Sequence, residues 1–312
     1  TGASGPKFRP DGRAILFQTS FAQGATNLDE QKKLSDEQKA RKDTARTYDS
    51  FPVRFWNAWL EKKDPMIGWQ EVDGKGPTMI SVAPLRGTFP GSTTEDLSPA
   101  WTPDGKSIVF HASANREKGM FEWTEFSLYL VAATGGAPKR LTPAGVSYNS
   151  PSFSADGQSL YAVESRTRTP KQLYFVDRLA RITGADWSQI SIVTAGWDRS
   201  VGNATVSPDS KTLYIEAEDL GTTKIFRMPA TGGVPEVVFA PEKGAVTDLQ
   251  AEAGVIVGKY AASTDPGQIV RFDPQTKSTR ALTSFNKERL AKIHLPSPEH
   301  FWFTAKNGKK IH

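Results

Sequence analysis

The sequence contains few residues that could carry out nucleophilic or acid–base catalysis. A serine hydrolase of the α/β type needs a Gly-x-Ser-x-Gly turn to expose its nucleophile, and no such turn occurs in the 312 residues. Three of the four histidines, His294, His300 and His312, lie late in the chain without the Ser or Asp context of a triad. His111 falls within a predicted strand and is interpreted as an ordinary strand residue without a catalytic role. The sequence therefore predicts no catalytic triad.

Metal and thiol chemistry are not predicted either. The chain has no cysteine, which excludes disulfides, thiol catalysis and Cys-based zinc or iron–sulfur sites. No two histidines share a metal-ligand spacing with a carboxylate. We therefore expect neither a metal site nor a cofactor.

A different kind of chemistry is suggested by two stretches that combine aromatic and charged residues. They are FPVRFWNAWLEKKDP (51–65) and REKGMFEWTEF (116–126). Aromatic residues and arginine often dominate binding surfaces, but the same residues can simply pin an insertion to the domain that carries it. Both alternatives stay open from the sequence. The candidates for contact with a substrate or partner domain are Arg54, Trp56, Trp59, Glu122, Trp123 and Glu125.

Both stretches interrupt a repeat that extends over most of the chain. Each copy has a turn aspartate, in Pro-Asp-Gly or in a variant of it with one residue changed. A core-type residue lies three positions earlier, and a run of branched and aromatic residues follows. Pro presets φ, Asp can hydrogen-bond to its own backbone and Gly accepts positive φ, so the triplet predicts a hairpin turn. The turn aspartates are Asp11, Asp104, Asp156 and Asp209, and the core-type residues are Phe8, Trp101, Phe153 and Val206.

Each copy also has a second strand–turn–strand half. Segments 128–142 and 225–239 turn at Gly-Gly, and segments 173–194 and 269–283 use other turns. Four short antiparallel strands in about 40–50 residues are typical of a propeller blade. The sequence thus predicts an all-β fold, a β-propeller of four-stranded antiparallel blades. Five blades are visible, the fifth beginning near Val246 without its Pro-Asp-Gly turn, and we expect them to be part of a larger ring with blades before Thr1.

The larger interruption lies in the first visible blade. A partly helical insertion is predicted at about 27–76, with the third strand of the blade near Met79. The smaller interruption, 116–126, lies between the second and third strands of the next blade. Because strands alternate in direction, loops between second and third strands share one face, where both insertions are expected.

The overall composition excludes two classes of partner. The net charge is only +5, and Lys and Arg are scattered among nearly as many Asp and Glu, so a nucleic-acid surface is not expected. No apolar run approaches the roughly 18 residues that span a membrane, so no membrane partner is expected.

The blade motif, with its Leu-Tyr and Thr-Gly-Gly second halves, resembles the propeller of the prolyl oligopeptidase family of serine peptidases. Arg54-Phe-Trp-Asn-Ala-Trp59 is similar to an Arg-x-Trp-Asp-x-Trp stretch of its dipeptidyl and acylaminoacyl peptidase branch, with Asn57 in place of the usual Asp. The segment 282–312 is similar to the passage from propeller to peptidase domain. The resemblance covers nearly the whole chain.

This resemblance implies the organisation of the chain and its partners. Residues 1–285 would form the propeller, and residues 286–312 a linker and the start of a missing C-terminal α/β-hydrolase domain with a Ser-Asp-His triad. The chain would not be catalytic itself but would gate and position short peptides for that domain. A periplasmic or secreted location is implied, and an open ring would expose blade edges that favour a homo-oligomer.

The resemblance also implies a candidate site for the substrate's amino terminus. In aminopeptidase members an acidic pair from a propeller insertion holds this group, and carboxylates suit it because an ammonium ion donates three hydrogen bonds. The candidates are Asp29-Glu30 and Asp36-Glu37, although acidic pairs on a solvated helix are common.

Two other functions remain open at this point. One is a stand-alone periplasmic propeller that binds a protein, similar to the Tol-system propeller with the same blade motif. The other is an enzyme with its site in the central channel, which would need converging carboxylates or histidines. The first strands of the blades offer Lys7, Ala100 and Ser152 beside their core residues, which is no such set.

Overall fold

The protein is built almost entirely of short antiparallel strands. The computed structural model describes residues 2–49, 51–55, 57–74, 76–83, 85–86, 96–118, 121–166, 174–252 and 255–312. In these residues, five groups of four antiparallel strands follow each other along the chain. The predicted fold of four-stranded propeller-type blades is thereby confirmed, whereas further blades before Thr1 remain a prediction.

The first sheet has the strand order β1–β2–β5–β6. Between β2 and β5 the chain forms a helix and a hairpin whose two strands have two residues each. This confirms a partly helical insertion in this blade. The bounds are β1 (Ser4–Phe8), β2 (Ala14–Ala22), α1 (Leu28–Ala40), β3 (Arg54–Phe55), β4 (Ala58–Trp59), β5 (Lys63–Glu71) and β6 (Thr78–Ser81).

The third strand of this sheet differs from the sequence prediction. β5 pairs with β2 at nine positions from Ala14 to Ala22, and Met79 belongs to the fourth strand. The prediction near Met79 was wrong, so the insertion ends before Lys63 rather than near residue 76. Gly68 lies in the middle of β5 and has no side chain, so it interrupts the run of branched and aromatic residues from which a strand would be predicted. The glycine is required there, since a Cβ would lie 2.5 Å from the Phe17 ring.

The second and third sheets have the orders β7–β8–β9–β10 and β11–β12–β13–β14. A 3₁₀ turn, Arg116–Lys118, lies between β8 and β9, in the second interruption of the repeat. The bounds are β7 (Ala100–Trp101), β8 (Ser107–Ala112), β9 (Ser127–Ala132), β10 (Lys139–Arg140), β11 (Val146–Phe153), β12 (Leu160–Arg166), β13 (Arg178–Thr183) and β14 (Gln189–Ile192).

The fourth and fifth sheets are joined by one parallel pairing, between Thr223 and Ala245. A short helix and a small hairpin follow them. The bounds are β15 (Val201–Val206), β16 (Thr212–Asp219), β17 (Thr222–Pro229), β18 (Glu236–Phe239), β19 (Ala245–Glu252), β20 (Val255–Ala262), β21 (Asp265–Asp273), β22 (Ser278–Ala281), α2 (Lys287–Leu290), β23 (Phe303–Thr304) and β24 (Lys310–Ile311).

The chain divides into two compact units. Unit 1 comprises residues 1–153, 157–175 and 182–189, and unit 2 comprises residues 154–156, 176–181 and 190–312. In unit 1 the fully buried Leu16, Ile67 and Ile108 belong to one apolar cluster. In unit 2, Ile225 and Leu249 belong to another. Each unit therefore has its own core.

The turn aspartates organise the start of each second strand. Asp104 Oδ1 accepts hydrogen bonds from Thr102 Oγ1 (2.6 Å) and from the Lys106 backbone N–H (3.0 Å). A hydroxyl two residues earlier plays the same part for Asp156 and Asp209, whereas in the first copy the Arg9 guanidinium donates to Asp11 at 2.9 Å. These bonds fix the turn by a local side-chain mechanism.

One residue predicted to be of core type is exposed. Trp101 is 5% exposed and packs edge-on against Trp69 of the first sheet at 5.9 Å between ring centroids. The equivalent Phe8 is 67% exposed. Trp69 of the adjacent sheet covers Trp101, whereas no described residue covers the Phe8 ring in this way.

Candidate functional site

The insertion of the first sheet is anchored at the start of α1. Asn27 caps the helix by accepting the Glu30 N–H at 2.9 Å. Gln31 Oε1 accepts the N–H of Ala22 at the end of β2, and Leu34 packs against a buried cluster that includes Phe21. Only the first turns of the helix are therefore fixed to the sheet.

The two acidic pairs of α1 are not equivalent in the structure. Glu30 Oε2 accepts both the backbone N–H and the hydroxyl of Thr26 at 2.8 Å, and these bonds lower the pKa of Glu30. Asp36 lies 3.9 Å from Lys39 on the same helix, while Asp29 and Glu37 are exposed. The Glu30 carboxylate thus stabilises its own helix start, and the amino-terminus clamp remains a prediction.

The aromatic hairpin β3–β4 presents side chains to solvent. Arg54 pairs with Trp59 across the hairpin, and both are exposed. Trp59 is 51% exposed and stacks on Tyr48 at 6.2 Å, while the Tyr48 hydroxyl donates to Leu60 O. Trp56, also predicted to be a contact residue, lies outside the described residues. One face of Trp59 therefore packs and the rest is accessible.

The second interruption is organised by Asn115. Its Nδ2 donates to the Trp123 carbonyl and its Oδ1 accepts the Glu125 N–H, both at 3.1 Å. These bonds close the loop, whose Phe121 and Trp123 side chains are 80% and 48% exposed. Glu122 is exposed and lies 3.9 Å from Lys118. The two ends of the loop are thus held together, and its described residues expose both aromatic rings and charged groups.

The Glu125 carboxylate is engaged in hydrogen bonds within the protein. Its carboxylate accepts Arg140 Nη2 and the Gly145 N–H, each at 2.7 Å. It thereby ties the end of the loop to the connection between β10 and β11. Of the predicted contact residues described by the structure, Glu125 is therefore the least able to bind an external group.

An ion pair joins the bases of the two interruptions. Asp64, at the start of β5, accepts the Gly24 N–H at 3.0 Å and pairs with Arg86 Nη2 at 3.1 Å, and both side chains are largely buried. The Arg86 backbone in turn exchanges two hydrogen bonds with Ser113, just after β8. No sequence motif points to Asp64, Arg86 or Asn115. Their only signal was a charged or polar residue at the edge of each interruption.

His111 lies in the core, whereas His300 and His312 lie together in the tail. His111 is 1% exposed, and burial lowers its pKa to about 4. His300 and His312 stack on each other in the tail at 5.1 Å, with Nδ1 of the first 3.2 Å from Nε2 of the second. Within the described ranges, no group of three or more His, Cys, Asp or Glu could hold a metal ion.

No helix in the described part of the chain is long and apolar enough to cross a membrane.

The relatives that match by sequence are dipeptidyl peptidases. Dipeptidyl-peptidase 5 of Aspergillus fumigatus is 31% identical over 216 residues, which are 60% of this chain and 28% of that protein. Dipeptidyl-peptidase 5 of Porphyromonas gingivalis is 25% identical over 319 residues, covering 98% of this chain and 44% of that protein. The chain thus spans less than half the length of these relatives. No family model matches the chain.

Solved structures show the same fold. An acylaminoacyl peptidase of Pyrococcus horikoshii superposes with a TM-score of 0.66 and 14% identity over 99% of this chain and 42% of that one. A putative TolB from Agrobacterium tumefaciens superposes with a TM-score of 0.57 and 14% identity, over 90% of this chain and 80% of that one.

Fold and relatives together define the class of protein. The chain has a propeller-type fold and is similar in sequence to dipeptidyl peptidases, which bears out the resemblance to the prolyl oligopeptidase family of serine peptidases seen in the sequence. Within that family, its relatives by sequence are the dipeptidyl-peptidase 5 proteins.

Proposed function

We propose that this chain is the non-catalytic propeller of a dipeptidyl or acylaminoacyl aminopeptidase, and that it admits and positions short peptides for a Ser-Asp-His hydrolase domain. The observation that carries the proposal is the alignment of 98% of the chain with 44% of a dipeptidyl-peptidase 5. The absence of a Gly-x-Ser-x-Gly turn supports it, because catalysis must then come from other residues.

The residues proposed to meet the peptide or the hydrolase domain are the exposed aromatics of the two interruptions, Trp59, Phe121 and Trp123. Aromatic side chains supply large contact areas with few rotatable bonds. They are held by ordered neighbours, Tyr48 for Trp59 and Asn115 for the second loop. The arrangement provides binding surface rather than acid–base groups, as a positioning role requires.

The test uses the native polypeptide that contains this chain, assayed with dipeptidyl 4-nitroanilides. Trp59→Ala is expected to lower kcat/KM about tenfold, mainly through a higher KM, because a contact made to bound substrate is lost. Val234→Ala is the control, since Val234 is also a strongly exposed apolar residue but lies at a Gly-Gly turn outside both interruptions. Equal effects of the two changes on KM would contradict the proposal.

A second candidate is a stand-alone propeller that binds a protein. It is supported by the TolB-like structure, of which this chain covers 80%. The intact mass of the native product distinguishes the two. A product more than twice as long as this chain, as expected from the coverage of its relatives, supports the peptidase. A product of this length supports the binding propeller.

A further inference from the structure

His300 and His312 lie beside each other because a small hairpin of the tail brings them together. Phe303 pairs with Ile311 across β23 and β24, and continuing this register places Trp302 opposite His312. His300, two residues before Trp302, therefore lies on the same face of the hairpin. Both histidines are exposed, so an ion can reach their imidazoles from solvent.

The hairpin holds this arrangement in place. The Ala305 N–H donates to the Lys309 carbonyl at 2.8 Å, and the Gly308 N–H donates to the Ala305 carbonyl at 2.9 Å, so the turn is closed. The Trp302 ring packs against the His312 ring at 4.8 Å between centroids. Such neighbours position the imidazoles in advance and reduce the entropy lost when a ligand binds.

The turn between β16 and β17 lies against both imidazoles. A Cβ on Gly221 would lie 3.2 Å from His300 Cε1 and 3.4 Å from His312 Cε1, so a larger residue would press on both rings. Gly221 also lines an open cleft of about 720 Å³. Just before this part of the tail, the Ser263 hydroxyl donates to the Pro296 carbonyl at 3.3 Å. The tail is therefore docked on unit 2, next to open space that admits water.

The distance between the two imidazoles matches ligation of one metal ion. His300 Nδ1 lies 3.2 Å from His312 Nε2. Zn–N bonds are about 2.0–2.1 Å long, so two nitrogens on one ion lie about 2.9 Å apart at a right angle and about 3.4 Å apart at the tetrahedral angle. The ring planes are 6° from parallel, and χ2 of histidine is a soft torsion, so small rotations direct both lone pairs at one ion.

We propose that His300 and His312 form a binding site for one divalent transition-metal ion, which holds the two ends of the β23–β24 hairpin together. Neutral imidazole is a common ligand of Zn²⁺, Ni²⁺ and Cu²⁺, whereas Mg²⁺ and Ca²⁺ prefer oxygen ligands. A structural zinc site has four protein ligands. With two imidazoles the remaining positions are filled by water, and the ion is exchangeable. This proposal does not depend on the peptidase role.

The experiment follows the four histidines of the full chain by NMR after selective ¹⁵N-histidine labelling. One glycine is added after His312, so that no terminal carboxylate adjoins its imidazole. Titration with Zn²⁺ at neutral pH is expected to shift Nδ1 of His300 and Nε2 of His312 together and to saturate at one ion per chain. Unchanged signals, or shifts that never saturate, would mean that the two imidazoles only share a hydrogen bond, and would overturn the proposal.

Three histidine variants separate chelation by the pair from binding to any exposed imidazole. His300→Ala and His312→Ala are each expected to weaken Zn²⁺ binding about tenfold or more, because one ligand of a chelating pair is lost. His294→Ala is the matched control, since His294 is also exposed in the tail, and it should leave binding unchanged. Equal weakening in all three variants would show that the pair is not the site.

Competition with Mg²⁺ tests the kind of ligand. An excess of Mg²⁺ of about a hundredfold should leave bound Zn²⁺ in place, because imidazole is a poor ligand for Mg²⁺. Displacement of Zn²⁺ would indicate carboxylate ligands and contradict ligation by the two imidazoles.

Amide hydrogen exchange tests whether the ion holds the hairpin together. With free Zn²⁺ at about ten times its Kd, exchange of the Ala305 N–H is expected to slow about tenfold, because opening of the hairpin must then release the ion. The Leu249 N–H, bonded to Glu216 in the same unit, is the control and should exchange at an unchanged rate. Binding of Zn²⁺ without slower exchange at Ala305 would contradict this part of the proposal.

Discussion

In three of the sheets, the same position of the second strand carries a polar side chain that hydrogen-bonds to the neighbouring sheet, a contact called the latch here. Gln18 accepts the Leu97 N–H, and His111 accepts the Ser150 N–H. Glu216 accepts the N–H groups of Leu249 and Asp248 at 2.8 and 3.2 Å. His111 is therefore more than an ordinary strand residue. Each of these side chains accepts a hydrogen bond from a backbone N–H at an irregular point, which lies just before or within the first strand of the following sheet. Regular strand pairing cannot satisfy that N–H there.

Glu216→Val is expected to destabilise the protein. It leaves the buried Leu249 N–H and the part-buried Asp248 N–H without their acceptor, although loss of the buried carboxylate, whose pKa is raised by burial, offsets part of this cost. We expect a decrease of about 2 kcal/mol in the free energy of unfolding, measured by urea denaturation at neutral pH.

Glu218→Val is the matched control, because Glu218 lies two residues along the same strand but is exposed. Similar losses of stability in both variants would show that the latch bonds are not the cause.

His111 should make stability depend on pH. Its pKa is lowered from 6.5 to about 4, mainly by burial. The unfolded state therefore binds the proton first, and stability is lost as pH falls from about 6.5 to about 4, by at most about 3 kcal/mol.

His111→Gln should remove this loss, since Gln18 accepts a backbone N–H at the equivalent position. Urea denaturation between pH 7 and 4.5 measures the difference. A parallel pH dependence in both proteins would mean that His111 is not the titrating group.

At the scale of elements, the insertion of the first sheet is held by hydrogen bonds at both ends, whereas its middle is exposed. Its ends are held by Gln31 on Ala22, by Asp64 on Gly24 and by the pairing of β2 with β5. Residues 41–48 have no regular structure and are nearly all exposed. Few contacts oppose local opening there.

Brief trypsin treatment should therefore cut first at Arg41, Lys42 or Arg46. The two fragments should stay together because β2 remains paired with β5 at nine positions. Denaturing gels identify the cut, and size-exclusion chromatography shows whether the fragments separate. Early cleavage elsewhere, or separation without denaturant, would contradict this description.

At the scale of the whole molecule, the division into two units predicts which strands become less stable after a destabilising substitution. The Glu216 latch and the cluster that includes Leu249 both belong to unit 2. Glu216→Val should thus speed amide hydrogen exchange in β15–β22 more than in β1–β9. Uniform acceleration would show that both units open as one cooperative structure.

The blade pattern was predictable because its signals are local. The Pro-Asp-Gly turn, the Gly-Gly turn and the apolar runs each act within a few residues, and all five four-stranded groups were found from them. The third strand of the first blade was missed where Gly68 replaces a side chain beneath Phe17. The exposure of Phe8 was missed because it depends on a neighbouring sheet.

The sequence by itself determined the repeat, the resemblance to a peptidase family and the absence of a catalytic serine turn, since these rest on residue type and short spacing. The tertiary structure decided which polar residues meet. Asp64 and Arg86, Glu125 and Arg140, and His111 and Ser150 come together only when separate strands pair and sheets pack. Their interactions depend on distances across the fold, which the order of residues along the chain does not encode locally.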